Sequence, residues 1–118
     1  INNVIIFKND INDFMTDNNL IKKNSLDLVL SDMAPKATGH RFTDKARAED
    51  LVEKATEFAQ KYLSFNGNFV CKLLGTNNNN IIKDIKKNYK NVKLFKPKSS
   101  RKDSKEIYLI GLSFNNLQ

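Results

Sequence analysis

The 118-residue chain carries 20 Lys and Arg against 13 Asp and Glu, which gives a formal net charge of +7, and 40% of its residues are hydrophobic. That size fits one domain with a modest core. The sequence has no apolar run near the ~20 residues of a membrane span and no signal peptide. One Cys and one His exclude an internal disulfide and a zinc cluster. We therefore expect a soluble intracellular protein without a bound metal, whose compartment (cytoplasmic, nucleolar or organellar) the sequence leaves open.

Most of the positive charge lies in residues 83–105, which hold ten Lys and Arg against two Asp, whereas the remaining residues carry a net charge of −1. A cluster of cations on one segment is typical of a surface that binds phosphates, and it predicts contacts with a polyanion at Lys96, Lys98, Arg101 and Lys102. The abundance of Lys and Asn also suggests an A+T-rich coding sequence. That bias explains an excess of charge but not its clustering.

The first elements in chain order are a strand and a helix. The apolar run at residues 4–7 predicts a strand, after which Ile11, Phe14 and Met15 recur at helical spacing. Asp10 stands where it can cap that helix.

The next apolar run, Leu26 to Leu30, is too continuous for a strand with one polar face and too short for a helix. It predicts a strand buried on both faces of a parallel sheet. Asp32 follows it, and Pro35 forces the chain into a loop. Because ligands bind beyond the carboxyl ends of parallel strands, Asp32 is a candidate site residue. His40, in the loop that follows, is expected to be exposed and is assigned no catalytic role.

A long amphipathic helix comes next, for which Thr43 is the predicted cap and Asn66–Gly67 the predicted stop. The following strand contains Lys72 within an apolar run. A lysine in a buried strand is costly unless it is paired, so it marks either a structural ion pair or an active site. If this strand lies beside the Asp32 strand, both side chains face one cleft.

The remaining elements are a short basic helix at residues 81–89, a strand at 92–95 and a last strand at 107–112. Glu106 stands at the start of that last strand. If the strand runs antiparallel to the others, Glu106 joins Asp32 and Lys72.

Three segments together carry a family resemblance: Ser-Asp-Met-Ala-Pro at residues 31–35, Asn-Gly-Asn-Phe-Val-Cys-Lys at 66–72, and the Lys-Pro-Lys-Ser-Ser-Arg segment that continues to Tyr108. In their order and spacing they resemble the motifs of the FtsJ/RrmJ family. Members of that family are S-adenosylmethionine-dependent RNA ribose 2′-O-methyltransferases with a Rossmann-like, mostly parallel sheet and an antiparallel last strand.

The resemblance implies roles for individual residues. It makes Lys72 the proton acceptor, with Asp32 and Glu106 orienting it, and it requires no metal. It also implies that Asp32 borders the methionine end of S-adenosylmethionine and that Asp10 accepts a hydrogen bond from its adenine amino group. The Ser-Asp-Met-Ala-Pro segment followed by Ala-Thr-Gly at 37–39 favours a uridine of large-subunit ribosomal RNA as the substrate, although Lys36 replaces the usual Asn.

The first lysine and the glycine-rich cofactor loop of the family pattern have no counterpart here. We therefore interpret residues 1–118 as the C-terminal part of a methyltransferase domain that lacks its first two strands. Such a chain is expected to be inactive by itself, to bind S-adenosylmethionine weakly and to self-associate through an unpaired edge beside the Asp32 strand.

Other functions compete with this interpretation. They are a non-catalytic RNA-binding module, and a tRNA or mRNA-cap 2′-O-methyltransferase of the same family. A nicotinamide-binding domain is disfavoured because the sequence has no G-x-G-x-x-G motif.

Overall fold

The structure is a computed structural model that describes residues 4–7, 22–32, 39–74, 79–96 and 106–115. Within these ranges it has five strands and two helices. In chain order they are β1 (Val4–Phe7), β2 (Leu26–Ser31), α1 (Arg41–Tyr62), β3 (Leu63–Leu74), α2 (Asn79–Asn88), β4 (Tyr89–Phe95) and β5 (Glu106–Phe114). Neither helix is long and apolar enough to cross a membrane. The helix expected after Asp10 lies outside the described residues.

The five strands form one sheet in the order β1-β2-β3-β5-β4. β1, β2 and β3 pair in parallel, whereas β5 pairs antiparallel with both β3 and β4. The predicted fold class, a mostly parallel sheet with an antiparallel last strand, is therefore confirmed. Because β1, β2 and β3 end on the same side of the sheet, and β5 begins there, we call that side the carboxyl edge.

The core lies between α1 and one face of the sheet. Along β3, Phe69, Cys71 and Leu73 are buried while Val70 and Lys72 are only half-buried. This alternation has the period of a strand with one packed face. Five buried side chains of α1 fall at the predicted helical spacing and join the same cluster: Val52, Ala55, Phe58, Ala59 and Tyr62. Lys72 therefore lies on the sheet face opposite α1.

Both predicted ends of the long helix were wrong. The N-cap residue is His40, which makes no side-chain capping hydrogen bond, and the exposed Thr43 lies within the first turn. At the other end the backbone turns extended at Leu63, with φ −68° and ψ 137°. Leu63 is fully buried. Burying this side chain in the core fixes the end of the helix before the Asn66–Gly67 signal is reached.

Asn66 and Gly67 instead form an irregularity at the start of β3. Leu26 pairs with Leu63 but Leu28 pairs with Asn68, so β3 holds extra residues between these two pairs. Asn66 has a φ of 68°, in the left-handed region that Asn tolerates better than most residues. A strand with such an insertion is bulged and locally more twisted.

The expected unpaired edge beside the Asp32 strand was also wrong. β1 pairs in parallel with β2 from Val4 opposite Leu28 to Phe7 opposite Ser31. In the described sheet, β1 and β4 are the outer strands. Self-association through an open edge stays a prediction, and it now concerns β1.

Candidate active site

Asp32 and Lys72 form an ion pair at the carboxyl edge. Ser31, the last residue of β2, is the register partner of Cys71 in β3. The residues that follow them, Asp32 and Lys72, therefore lie side by side. Lys72 Nζ is 3.1 Å from Asp32 Oδ1. The sequence prediction that these two side chains meet is confirmed.

The two partners differ in exposure. The Lys72 side chain is 16% exposed and that of Asp32 is 47% exposed. A charged amine with so little access to water needs a partner, and the carboxylate supplies one. The pair therefore holds the Lys72 amine in a fixed position while the carboxylate stays open to solvent. A ligand above the carboxyl edge can reach both groups.

The third predicted site residue begins β5. Position 106 is the register partner of Leu74, and Tyr108 is the partner of Lys72. Since neighbours two apart along a strand share a face, position 106 belongs to the Lys72 face at the carboxyl edge. The backbone thus brings the positions of all three predicted catalytic residues to one edge. The side chain of Glu106 is not described.

The other predicted residues divide into two groups. Lys96 is exposed and directly follows β4 at the carboxyl edge, and His40 is exposed as expected. Four predicted site residues lie outside the described residues, so their assigned roles stay predictions: Asp10, Lys98, Arg101 and Lys102. Within the described ranges, no three His, Cys, Asp or Glu side chains are grouped so that they could hold a metal ion.

Two residues near the ion pair, Tyr108 and Phe95, had no role predicted from the sequence. Tyr108 lies directly across from Lys72, and Phe95 lies across from Tyr108. Only the strand register reveals these neighbours, because β4 and β5 are distant from Lys72 in the chain.

Beneath the site, burial raises the pKa of the Cys71 thiol to about 12, and a hydrogen bond with Ser31 acts in the opposite direction. The thiol is therefore neutral near pH 7.

Comparisons with known proteins agree with this geometry. A sequence model of the family described as FtsJ-like methyltransferase matches residues 1–114. A protein named "Ribosomal RNA large subunit methyltransferase E" from Bdellovibrio bacteriovorus is 49% identical over 88 residues, covering 74% of this chain and 45% of the relative. The protein of the same name from Ehrlichia ruminantium is 44% identical over 98 residues, covering 82% of this chain and 76% of the relative.

A solved structure is similar as well. The crystal structure titled as a putative ribosomal RNA methyltransferase from Plasmodium falciparum has a TM-score of 0.67 and 29% identity, covering 90% of this chain and 57% of that one. The chain spans about half the length of most of the curated relatives it matches. The matched family model, the relatives and the ion pair at the carboxyl edge lead to one conclusion: the chain belongs to the FtsJ-like methyltransferase family.

Proposed function

We propose that the protein transfers a methyl group from S-adenosylmethionine to a ribose 2′-hydroxyl of RNA, and that the substrate is a uridine of large-subunit ribosomal RNA. The observation that carries the proposal is the ion pair of Lys72 and Asp32 at the carboxyl edge. Membership of the FtsJ-like methyltransferase family supports methyl transfer. The names of the relatives support ribosomal RNA as the substrate class.

The chemistry asks little of the protein beyond positioning and one proton transfer. S-adenosylmethionine, when bound, supplies a methyl group activated by its sulfonium. In the ion pair Lys72 is an ammonium group, which must first lose one proton to solvent. The neutral amine then takes the proton of the ribose hydroxyl. The hydroxyl oxygen then forms the new bond to carbon as the carbon–sulfur bond breaks. Asp32 and Glu106 keep the Lys72 amine in line with the hydroxyl.

The described residues fit the cofactor at one contact. Asp32 stands just beyond the end of a parallel strand, where ligands of open α/β sheets bind, and its side chain is half exposed. The ion pair engages Oδ1, and the second carboxylate oxygen suits a donor on the methionine end of S-adenosylmethionine. We propose the adenine contact for Asp10.

A structural ion pair is the competing explanation of Lys72. A purely structural ion pair could lie anywhere in the sheet. This pair lies where two parallel strands end, beside position 106 at the start of an antiparallel strand. The location of the pair therefore favours catalysis. An assay of methyl transfer separates the enzyme from the non-catalytic RNA-binding module.

The test is methyl transfer from labelled S-adenosylmethionine. Since residues 1–118 alone are expected to be inactive, the assay uses the intact enzyme, incubated separately with large ribosomal subunits, tRNA and capped mRNA, all prepared without their 2′-O-methyl groups. We expect label in large-subunit RNA, recovered after digestion as 2′-O-methyluridine. Label in tRNA or the cap instead would contradict the proposed substrate, and no label in any RNA would contradict the proposed activity.

A further inference from the structure

Phe95 is a large apolar side chain that is more than half exposed to solvent. Among the described residues, three large hydrophobic side chains are more than half exposed: Phe65 at 58%, Leu94 at 55% and Phe95 at 54%. Single exposed hydrophobic residues are common and need no special explanation. The position of Phe95 relative to the ion pair distinguishes it from the other two.

The sheet register places Phe95 in a row with Lys72. Tyr108 of β5 is the direct partner of Lys72 on one side and of Phe95 on the other. Directly opposed residues share a face of the sheet, and neighbouring strands are about 4.8 Å apart. Phe95 therefore lies two strands from Lys72, about 10 Å away, on the same face and at the same level.

Leu94 and Phe65 do not share this location. Leu94 is the partner of Leu109, which is fully buried, so Leu94 belongs to the opposite face. Phe65 lies near the start of β3, at the end of the sheet away from Lys72. Leu94 and Phe65 are therefore exposed to a similar extent as Phe95, but neither lies in the row of residues that contains Lys72.

The charges around Phe95 favour a nucleic acid as its contact. Lys93 is exposed two residues earlier on the same face, and Lys96 is exposed directly after Phe95. An aromatic side chain flanked by cations is the arrangement that binds single-stranded nucleic acid, because a base stacks on the ring while phosphates meet the ammonium groups.

We propose that Phe95 stacks on a nucleobase of the RNA substrate, close to the nucleotide whose ribose is presented to Lys72. This inference rests on the proposed function, and it adds a base contact to the same site. The stacking contact tolerates any base, since every base has a flat π face. Its role is to hold single-stranded RNA across the end of β4, so that the ribose reaches the ion pair.

The test compares the binding of a short uridine oligomer with that of an abasic oligomer of the same length, by fluorescence anisotropy with the protein. Phe95→Ala should weaken binding of the uridine oligomer about tenfold. Binding of the abasic oligomer, which keeps the phosphates, should not change. Phe95→Trp should bind the uridine oligomer at least as well as the wild type. Phe65→Ala and Leu94→Ala, the matched controls, should bind both oligomers like the wild type.

Two results would overturn the inference: wild-type affinity of Phe95→Ala for the uridine oligomer, or an equal loss for both oligomers. The methylation assay separates this failure from failure of the proposed function. If the wild type methylates RNA and Phe95→Ala binds normally, only the stacking contact is wrong. If Phe95→Ala shows the base-dependent loss but no RNA is methylated by the wild type, the contact stands and the enzymatic function is wrong.

Discussion

At the scale of single residues, the proposed chemistry depends on the Lys72 amine. If Lys72 accepts the ribose proton, Lys72→Ala in the intact enzyme should lower kcat by about two orders of magnitude or more, because proton transfer by a positioned base contributes that much. Affinity for S-adenosylmethionine should stay nearly unchanged. Single-turnover methylation and calorimetry with the cofactor measure the two effects separately.

The matched control is Lys54→Ala. Lys54 also pairs with an aspartate, with Nζ 3.0 Å from Asp50 Oδ2, but on the surface of α1. An ion pair between partly exposed side chains on a helix surface contributes little, so this variant should keep wild-type turnover. If Lys72→Ala retained more than about a tenth of wild-type turnover, Lys72 would not be the proton acceptor.

Cys71 gives a prediction about stability and pH. Burial raises the pKa of this thiol from 9.0 to about 12. Well below pH 9 the thiol is neutral in both folded and unfolded states, so it has no effect on the pH dependence. Between pH 9 and 12 the unfolded thiol ionises and the folded one does not, so stability falls by up to about 1.4 kcal/mol per pH unit.

Cys71→Ala removes this contribution. Between about pH 8 and 10.5, the unfolding free energy of the wild type should fall by about 2 kcal/mol more than that of the variant. Urea unfolding at each pH measures both. The alanine variant starts from a lower stability because it leaves a small cavity, so the comparison uses the slopes and not the absolute values. Parallel curves for the two proteins would show that the thiol is accessible to water.

At the scale of elements, the start of β3 is closely packed around Gly67. A Cβ added there would lie 2.9 Å from Leu63 Cδ2 and 3.0 Å from the backbone oxygens of Leu26 and Ser64. Two of these three contacts are with backbone, which cannot rotate away. Gly67→Ala should therefore destabilise the protein by about 1–3 kcal/mol, the usual cost of overpacking, as measured by urea unfolding.

Asn66→Gly is the control for that prediction. Asn66 is exposed and has a positive φ, so glycine fits its backbone without strain. This variant should change stability by only a few tenths of a kcal/mol. A wild-type unfolding midpoint for Gly67→Ala would mean that the strand moves apart at the bulge more easily than its close contacts suggest.

The elements also show what a sequence can and cannot predict. The period of α1 and the apolar runs of β2 and β3 are local signals, and all three elements form where those signals lie. The proximity of Asp32 and Lys72 was predictable because the apolar runs of β2 and β3 indicate strands of a parallel sheet, and such strands end at the same edge. The predicted cap at Thr43 and the predicted stop at Asn66–Gly67 were both wrong. The helix ends earlier because burial of Leu63 outweighs a local stop signal.

Strand pairing was harder to predict than strand existence. The pairing of β1 with β2 and the row from Lys72 through Tyr108 to Phe95 join segments that are far apart in the chain. Nothing in the sequence near any of these residues specifies its register partner. Register depends on which faces are buried in the assembled sheet, so it is a property of the whole fold.

At the scale of the whole molecule, the charge is polarised toward residues 83–105. If this segment follows the RNA backbone, replacing Lys96, Lys98, Arg101 and Lys102 by Gln should weaken RNA binding and flatten its dependence on salt. For single-stranded RNA, the slope of log K against log salt should fall by about 0.7 for every phosphate that the protein no longer neutralises. Binding titrations at several salt concentrations measure the slope.

Lys22 and Lys23 provide the control, since both are exposed and precede β2 at the opposite edge of the sheet. Replacing them by Gln removes positive charge without touching the proposed RNA surface, so the salt slope should stay close to that of the wild type. An unchanged slope in the fourfold variant would leave coding-sequence bias as the explanation of the charge.

The position of β5 has a consequence for how the chain is made. β5 is the last of the five strands in chain order, yet it lies between β3 and β4 in the sheet. During translation, β3 and β4 leave the ribosome before the strand that joins them, so a nascent chain that has not reached Glu106 presents unpaired hydrogen-bonding groups on both. Open strand edges of this kind invite aggregation and chaperone binding. Completion of the sheet therefore waits for residues 106–114, and a premature stop before them leaves β4 without its partner.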